Sequence, residues 1–498
     1  MRGGDARTSR HVTWAAAWPA VGLGCLISWT YVVYLSWAVL TPSHGDALLL
    51  DTAYPASYVG LVLVLLAGVV LSRAVPRVAA LLDGVLDGRA DDSQSDSQTK
   101  ASRVNGAQLA LGIGAVLVMC LGTGLLILGE QGQFATLLYL ASALLPGLGL
   151  GVLYLLWASV IARLPRQAIP GCIALAFVIG AAIYTLALHL PAAPTHLISL
   201  GLPIVSLICL VLGSSTSESS AREPIHGLSP QMLPRTVCCF CLLSFAEGLS
   251  RGFFLQANVH ANPLLHRWVF LIATAGACAL LLLASLRGHG RVGITSTGRA
   301  GMLMLALMFL LTPIVKDAGL TADILTMASH VLLLLIEWTL LTQIANAYRL
   351  PALHTYGLGL GLTYLGWVAG DVIGNAMSTR LQMSYQAESL LALGCACLVM
   401  LAFFLIAHDR SIAEIASEDS HEAKPRRFMQ RCEDIAQRYG LTKKETEVMV
   451  LVAKGRTAQR VQEIMGISLG TVNTHLSHIY RKLGVHTKQE MLDKLEED

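Results

Sequence analysis

Three polar residues near the end of the chain have side chains of the kind that read DNA base edges. Asn473, Thr474 and Ser477 share one face of a segment with helical periodicity, LGTVNTHLSHIYRKL. An asparagine amide binds adenine through two hydrogen bonds, and hydroxyl groups offer adaptable bonds or methyl contact. Residues better placed for phosphates, which fix register without specifying sequence, are Thr471, His475, His478, Arg481, Lys482 and Lys488. The segment therefore predicts contact with double-stranded DNA.

A second group of polar side chains is embedded in apolar sequence. Its members occur in pairs spaced by four or seven residues, namely Glu247 with Arg251, His330 with Glu337, and Asp371 with Asn375. Each spacing places a pair on one face of a helix, where opposite charges can meet. Ionisable groups at bilayer depth usually face a bundle interior or a water-filled cavity. These six residues are predicted to line a ligand pocket, with structural pairing between helices as the alternative.

Helix-start and helix-stop signals place the first group on short helices. Through residues 428–498, capping residues precede each helical segment and glycines follow it: Thr442, Thr457, Ser468 and Thr487 before, and Gly440, Gly455, Gly466 and Gly484 after. Glu445 completes a capping box with Thr442. Two helices joined by the Gly466 turn follow the helix-turn-helix plan. The apolar face of the second helix is predicted to pack on Val448, Val461, Ile464 and Met465.

The remainder of the chain has the composition of a membrane protein. Of 498 residues, 54% are hydrophobic and 13% charged, whereas soluble domains carry about 25% charged residues. A membrane-spanning helix needs about 20 mostly apolar residues. Twelve segments qualify: 14–40, 52–73, 107–129, 134–161, 169–190, 192–214, 236–257, 266–286, 300–315, 321–347, 354–379 and 385–408.

These segments predict an all-α protein of two domains. A polytopic bundle of about 12 transmembrane helices, arranged six and six, occupies residues 1–408, and the mixed-charge linker 409–427 leads to a helix-turn-helix domain at 428–498. Lys and Arg concentrate in the connections on the side of the N-terminus, which predicts that side to be cytoplasmic. An even number of spans returns the C-terminal domain to the same side. The expected location is a cell membrane that the chain crosses many times.

The C-terminal segment resembles the LuxR-type DNA-binding domain. The resemblance rests on Leu441, Thr442, Glu445, Glu447, Val448, Ala453, Gly455, Ile467, Ser468, Thr471, Val472, His475, Ile479, Lys482, Leu483 and Val485. Asn473 departs from the family, which usually has a basic residue there, and His475 occupies a position where core packing competes with DNA contact. The twelve spans resemble the major facilitator superfamily. The whole chain resembles the membrane-bound LuxR-type regulators of gut actinobacteria, and this resemblance implies the bacterial inner membrane as its location.

The expected function is a one-component transcription regulator. The membrane domain would sense an unknown small molecule, and the tail would bind promoter DNA as a homodimer, through Met491, Leu492 and Leu495 as the resemblance implies. These three residues equally suit the tail's own core. One alternative is a major-facilitator-like transporter with a regulatory tail, and another makes the tail a helical protein-interaction module. The sequence has no nucleophile–base pair and no His/Cys set at metal-ligand spacing, so we expect no enzyme, metal or cofactor.

Overall fold

The protein is helical throughout the part of the chain that its structure, a computed structural model, describes. That part comprises residues 17–35, 47–75, 106–128, 136–164, 168–214, 232–252, 319–348, 350–380, 385–407, 438–453 and 456–497, with isolated residues between 268 and 310 and between 432 and 436. The chain divides into two compact units, Met1–Ala416 and Ser417–Asp498. The predicted linker 409–427 lies outside the described residues, so its boundaries stay a prediction.

Ten long helices of the first unit coincide with ten of the predicted spans. They are α1 (Ala17–Leu35), α2 (Ala47–Ala74), α3 (Gly106–Leu128), α4 (Thr136–Ile161), α5 (Ile169–Leu188), α6 (Ala192–Ser214), α7 (Met232–Ser250), α8 (Gly319–Tyr348), α9 (Ala352–Arg380) and α10 (Tyr385–Ala407). Seven of them, α1 to α7, contain a stretch that is long and apolar enough to cross a membrane. The predicted spans 266–286 and 300–315 fall where only isolated residues are described, so the count of twelve stays a prediction.

Helices of the first unit pack through small residues and a few buried hydrogen bonds. Trp157 of α4 donates its Nε1–H to Ser206 Oγ of α6 at 2.9 Å, and Ser206 donates to the Gly22 carbonyl of α1 at 2.8 Å. Such bonds hold helices together in lipid, where apolar surface alone gives little preference for protein over tails. The two hydrogen bonds therefore connect α4, α6 and α1.

Among the described helices of the first unit, α7 and α9 form the most extensive pair. A Cβ added at Gly248 would collide with the Trp367 carbonyl oxygen, and one at Gly370 with that of Phe245. The glycines therefore let the two backbones touch. Helix α9 also packs along α2, so one helix links the first six spans with the later ones.

The second unit contains four well-described helices around its own core. They are α11 (Lys443–Ala453), α12 (Ala458–Met465), α13 (Leu469–Leu483) and α14 (Lys488–Glu497). Val472, Ile479 and Leu483 of α13 are buried against a cluster that includes Val448 and Val461, as the apolar periodicity predicts. The prediction for Ile464 is wrong, because half of its surface is exposed at the end of α12.

Candidate functional site

Local hydrogen bonds define both ends of α13. Ser468 accepts a bond from the Thr471 amide at 3.1 Å, and Gly466 before it adopts φ 64°. Gly484 ends the helix at φ 67°. The left-handed backbone conformation at each of these turns favours glycine, because a Cβ would crowd the neighbouring carbonyl. The caps predicted at Ser468, Gly466 and Gly484 are therefore confirmed, and α13 is fixed beside α12 by a tight turn.

The three residues predicted to read bases lie on the outer face of α13. Asn473, Thr474 and Ser477 are exposed, on the side of the helix away from Val472 and Ile479. The Thr474 hydroxyl donates to the Gly470 carbonyl at 2.9 Å. Its proton is therefore used within the helix, which leaves the oxygen as an acceptor and the methyl group for apolar contact. This arrangement allows the three side chains to reach base edges in a groove of DNA. The base contacts themselves stay a prediction.

The residues predicted for phosphates fall into two environments. Arg481, Lys488 and Thr471 are exposed, and the Thr471 hydroxyl also bonds Ser468 Oγ at 2.8 Å. His475 and His478 are half-buried. Exposed cations can approach a phosphate without losing internal partners, so Arg481 and Lys488 retain the best geometry for this role.

Lys482 differs from the other predicted phosphate ligands because its ammonium has partners inside the domain. Its Nζ lies 2.7 Å from Glu445 Oε2 and 3.0 Å from the Gly440 carbonyl oxygen. The pair ties α13 to the start of α11. An ammonium already neutralised by a carboxylate attracts a phosphate less strongly, so the structure gives Lys482 an internal role that its sequence position did not indicate.

Glu445 is the residue that organises this corner of the domain. It is only 4% exposed, accepts a bond from the Thr442 amide at 2.7 Å, and returns one from its own amide to Thr442 Oγ1 at 3.3 Å. The predicted capping box is therefore confirmed. Burial raises the pKa of Glu445, but the bonds from Lys482 and Thr442 and the Lys482 charge outweigh it and lower the pKa to about 2. His478 Nδ1 lies 3.7 Å from the same carboxylate.

The residues predicted for dimerisation lie against the domain's own core. Met491 is fully buried in the same cluster as Ile479, and Leu492 packs against it. The side chain of Leu495 is outside the described residues. Lys494 donates to the Leu483 carbonyl at 2.6 Å and lies over the Tyr439 ring. Helix α14 thus closes this core, with Met491 inside it as the alternative expected, and a dimer contact through this helix stays a prediction.

In the first unit, the predicted pocket residues find partners on other helices. Arg251 Nη1 lies 2.6 Å from Asp371 Oδ1, which connects the end of α7 to α9. Glu247 of α7 pairs with His330 of α8, and Thr363 of α9 donates to Glu337 Oε1 at 2.5 Å. The expectation that Glu247 meets Arg251 and His330 meets Glu337 along single helices is replaced by pairing between helices. Asn375 lies one turn beyond Asp371 and is half-buried.

Sequence reasoning missed a ladder of aromatic rings beside these charges. Tyr54 and Tyr58 of α2 contact Tyr364 and Trp367 of α9, with ring centroids 4.9–5.3 Å apart for the contacts between the helices. The Tyr54 and Tyr58 hydroxyls are 3.0 Å apart. The Arg251 guanidinium lies 4.9 Å from the Tyr54 ring and 5.3 Å from the Trp367 ring. The spacing of four between the tyrosines, and of three between Tyr364 and Trp367, is the signal that could have found them.

An apolar cleft also opens between α2, α3 and α4. Its lining includes Val64, Leu71, Leu111 and Leu155, with Leu353 from α9. None of the six predicted pocket residues lines it. The cleft carries almost no polar surface, so it offers nothing that would orient a polar ligand.

Comparison with known families identifies the second unit. Residues 440–495 match GerE, the luxR family of bacterial regulatory proteins. The C-terminal unit carries a luxR-type regulatory domain. The uncharacterised response regulatory protein YgeK of Escherichia coli K12 is 37% identical over 65 residues, which are 12% of this chain and 44% of YgeK. The oxygen regulatory protein NreC of Staphylococcus aureus JH9 is 38% identical over 53 residues, 11% of this chain and 24% of NreC. The chain thus spans less than half the length of these relatives.

Solved structures resemble the first unit. The human organic anion transporter MFSD10 (TETRAN) matches with a TM-score of 0.54 and 14% identity over 80% of this chain and 99% of that one. A bacterial homologue of the iron transporter ferroportin, in its outward-facing state, matches with a TM-score of 0.50 and 14% identity over 82% and 99%. At such identity the likeness concerns the fold alone. The luxR-type domain is therefore fused to a multi-pass membrane unit whose fold resembles those of MFSD10 and of the ferroportin homologue.

Proposed function

We propose that the protein is a membrane-bound one-component transcription regulator. Its membrane unit binds a small molecule, and its luxR-type domain binds promoter DNA. The observation that carries the proposal is the exposed polar face of α13, formed by Asn473, Thr474 and Ser477, in a chain that also holds a transporter-like fold. A ligand changes DNA binding only as far as its affinity differs between two conformations of the protein. We assign no catalytic step to the chain.

Both ends of the chain lie in the cytoplasm in this proposal. The even number of predicted spans and the concentration of Lys and Arg in the connections on one side support the assignment. Alkaline phosphatase fused after residue 498 should stay inactive, whereas a green fluorescent protein fused there should fluoresce. Active phosphatase would place the DNA-binding domain on the side without DNA and would end the proposal.

DNA recognition is tested with the full chain in nanodiscs. Genomic fragments selected by the wild-type protein are footprinted with the double variant Asn473→Ala, Ser477→Ala. We expect promoter-specific protection to disappear while weak general binding remains, because base contacts carry sequence discrimination of about 1–3 kcal/mol each. Lys443→Ala is the matched control, since Lys443 is exposed on α11. Unchanged protection by the double variant would remove α13 from the base-reading role.

Binding as a dimer is part of the proposal, through a surface other than the buried Met491. A footprint with two half-sites separated by about one helical turn of DNA is the expected pattern. Native mass spectrometry of the complex supplies the stoichiometry. One protein per footprint would contradict the dimer and leave DNA binding itself intact.

A transporter with a regulatory tail is the second candidate. The fold shared with MFSD10 and the buried charge pairs Arg251–Asp371 and Glu247–His330 favour it. Proteoliposomes carrying wild-type protein or Asp371→Asn are incubated with a cell metabolite mixture, and the trapped solutes are compared by mass spectrometry. Accumulation that requires Asp371 supports transport, whereas equal contents in both preparations support a sensor without flux.

A further inference from the structure

The Arg251 side chain lies in a site with the chemistry of a cation-binding site. This site, the cation seat, is formed by Tyr54, Trp367 and Asp371. A guanidinium lies over two aromatic faces, Tyr54 at 4.9 Å and Trp367 at 5.3 Å, and against the Asp371 carboxylate at 2.6 Å. Aromatic faces attract cations through the negative potential above the ring, most strongly where water is excluded. Asp371 is 1% exposed and Trp367 5% exposed. The same three groups would hold the positive head of a small molecule equally well.

Two of the buried carboxylates in the described part of this cluster depend on cationic partners. The buried carboxylates are those of Glu247, Glu337 and Asp371, whereas the cationic partners are Arg251 and, when protonated, His330. Glu337 is 1% exposed and has Thr363 as a hydrogen-bond donor rather than a basic partner. Because a buried carboxylate is costly without a positive charge nearby, Asp371 needs another cation whenever Arg251 moves away from it, and the site disfavours an anion.

The position of Arg251 allows it to leave the seat. It lies in a π-helical turn directly after α7, and its side chain keeps 24% of its surface exposed, whereas its carboxylate partner is almost completely enclosed. Turns of this kind interrupt the regular hydrogen bonding of a helix and are frequent at functional sites. The fixed part of the seat is therefore the carboxylate and the rings, and the movable part is the arginine.

The seat also joins the two halves of the membrane unit. Tyr54 belongs to α2 in the first six spans, whereas Trp367 and Asp371 belong to α9. The ring ladder continues from Tyr54 through Tyr34 to Trp29 of α1, a fully buried residue whose Nε1–H has no acceptor among the described residues. A buried donor without an acceptor is energetically costly. A ligand that reaches from the seat to this donor would need an acceptor group.

We propose that the membrane unit binds an organic cation, an aromatic amidinium, guanidinium or ammonium compound, at Asp371, Tyr54 and Trp367, and that the ligand displaces Arg251. The proposal deepens the sensor function above, on which it rests for its biological meaning. Displacement changes the contact between α2 and α9 and so provides two conformations with different affinity for the ligand. Specificity arises because Asp371 accepts a cation and repels a carboxylate.

The test uses three probes of one shape and different charge: benzamidine, benzamide and benzoate. Each is titrated into the full chain in nanodiscs, and binding is measured by saturation-transfer NMR. Benzamidine should bind at least tenfold more tightly than both others, and Asp371→Asn should abolish that preference. Equal affinity for the three probes, or tighter binding of benzoate, overturns the proposal.

Arg251→Ala separates a displaced arginine from a purely structural one. Without the competing Arg251 side chain, the cation seat is open in a larger fraction of the protein molecules. The apparent affinity for benzamidine should therefore increase at least tenfold. Arg251→Met, which keeps the apolar stem, gives the same readout if the alanine variant does not insert. Arg73→Ala, an exposed arginine at the end of α2, is the matched control. Unchanged or weaker benzamidine binding in both Arg251 variants would refute displacement.

Promoter binding is followed in the same nanodiscs, so the two claims fail separately. Benzamidine binding that requires Asp371, without any change in DNA affinity, upholds the cation seat and removes the sensor function. A DNA response to other solutes with no benzamidine binding upholds the sensor and removes the seat.

Discussion

Glu445→Gln is expected to destabilise the luxR-type domain by removing a charge that the fold stabilises. The glutamine has nearly the same shape and can still accept from the Thr442 amide, which the carboxylate accepts at 2.7 Å. It cannot form the ion pair with Lys482, whose Nζ lies 2.7 Å from Oε2. The variant therefore isolates the charge from the packing.

The magnitude follows from the pKa of Glu445. Hydrogen bonds and the Lys482 charge lower it from an ordinary 4.5 to about 2, against the opposing effect of burial. A pKa shift of one unit corresponds to about 1.4 kcal/mol, so the shift of Glu445 corresponds to about 3 kcal/mol in the free energy of unfolding. Because the folded-state pKa lies below the unfolded one, the stabilisation is complete above about pH 4.5 and is lost as the pH falls through about 2.

The assay is thermal and urea unfolding of residues 417–498, a unit with its own core, between pH 7 and pH 2. At pH 7 the variant should lose about 3 kcal/mol, which lowers Tm by more than about 10 °C for a domain of this size. The difference from wild type should shrink towards zero at pH 2. Glu447→Gln is the matched control: its pair with Lys444 is 3.0 Å long but exposed, so its effect should stay within about 0.5 kcal/mol. A loss that is independent of pH, or one equal to the control's, would refute the reasoning.

Three further outcomes follow from the same domain. Arg481→Ala should weaken binding to all DNA sequences and reduce the slope of log affinity against log salt concentration by about 0.9. Lys482→Ala should mainly lower the stability of the domain, since the Lys482 ammonium is bound to Glu445. A salt titration of DNA binding that gives the same slope for both variants would contradict this difference. Gly484→Ala should cost about 1 kcal/mol in urea unfolding, because Gly484 has a φ of 67°. Gly470→Ala, inside α13, should be neutral or stabilising, because a Cβ there would make only an ordinary contact with Ser468 Oγ at 3.7 Å. A larger loss for Gly470→Ala than for Gly484→Ala would reject the role of backbone strain. Met491→Ala should cost about 2–5 kcal/mol in the same assay, and a loss of dimer on DNA without loss of stability would return Met491 to an interface.

The sequence alone determined the helices and most of their ends. Ten described helices match predicted spans, since hydrophobic length is a property of one segment and does not depend on what the segment contacts. The same holds in the C-terminal domain. Ser468, Gly466 and Gly484 act on backbone groups within a few residues, so local spacing is sufficient to place them.

Partner choice among polar side chains was decided only by the tertiary structure. Helical spacing offered Glu247 as a partner of Arg251, but glycines bring α7 against α9 and make Asp371 its observed partner. Lys482 turns to Glu445, 37 residues away in the chain. Met491 enters the core, whereas Ile464, equally apolar, is exposed. Periodicity shows which residues share a face, but the element that covers that face comes from a distant part of the chain, and its identity depends on how all the helices pack together.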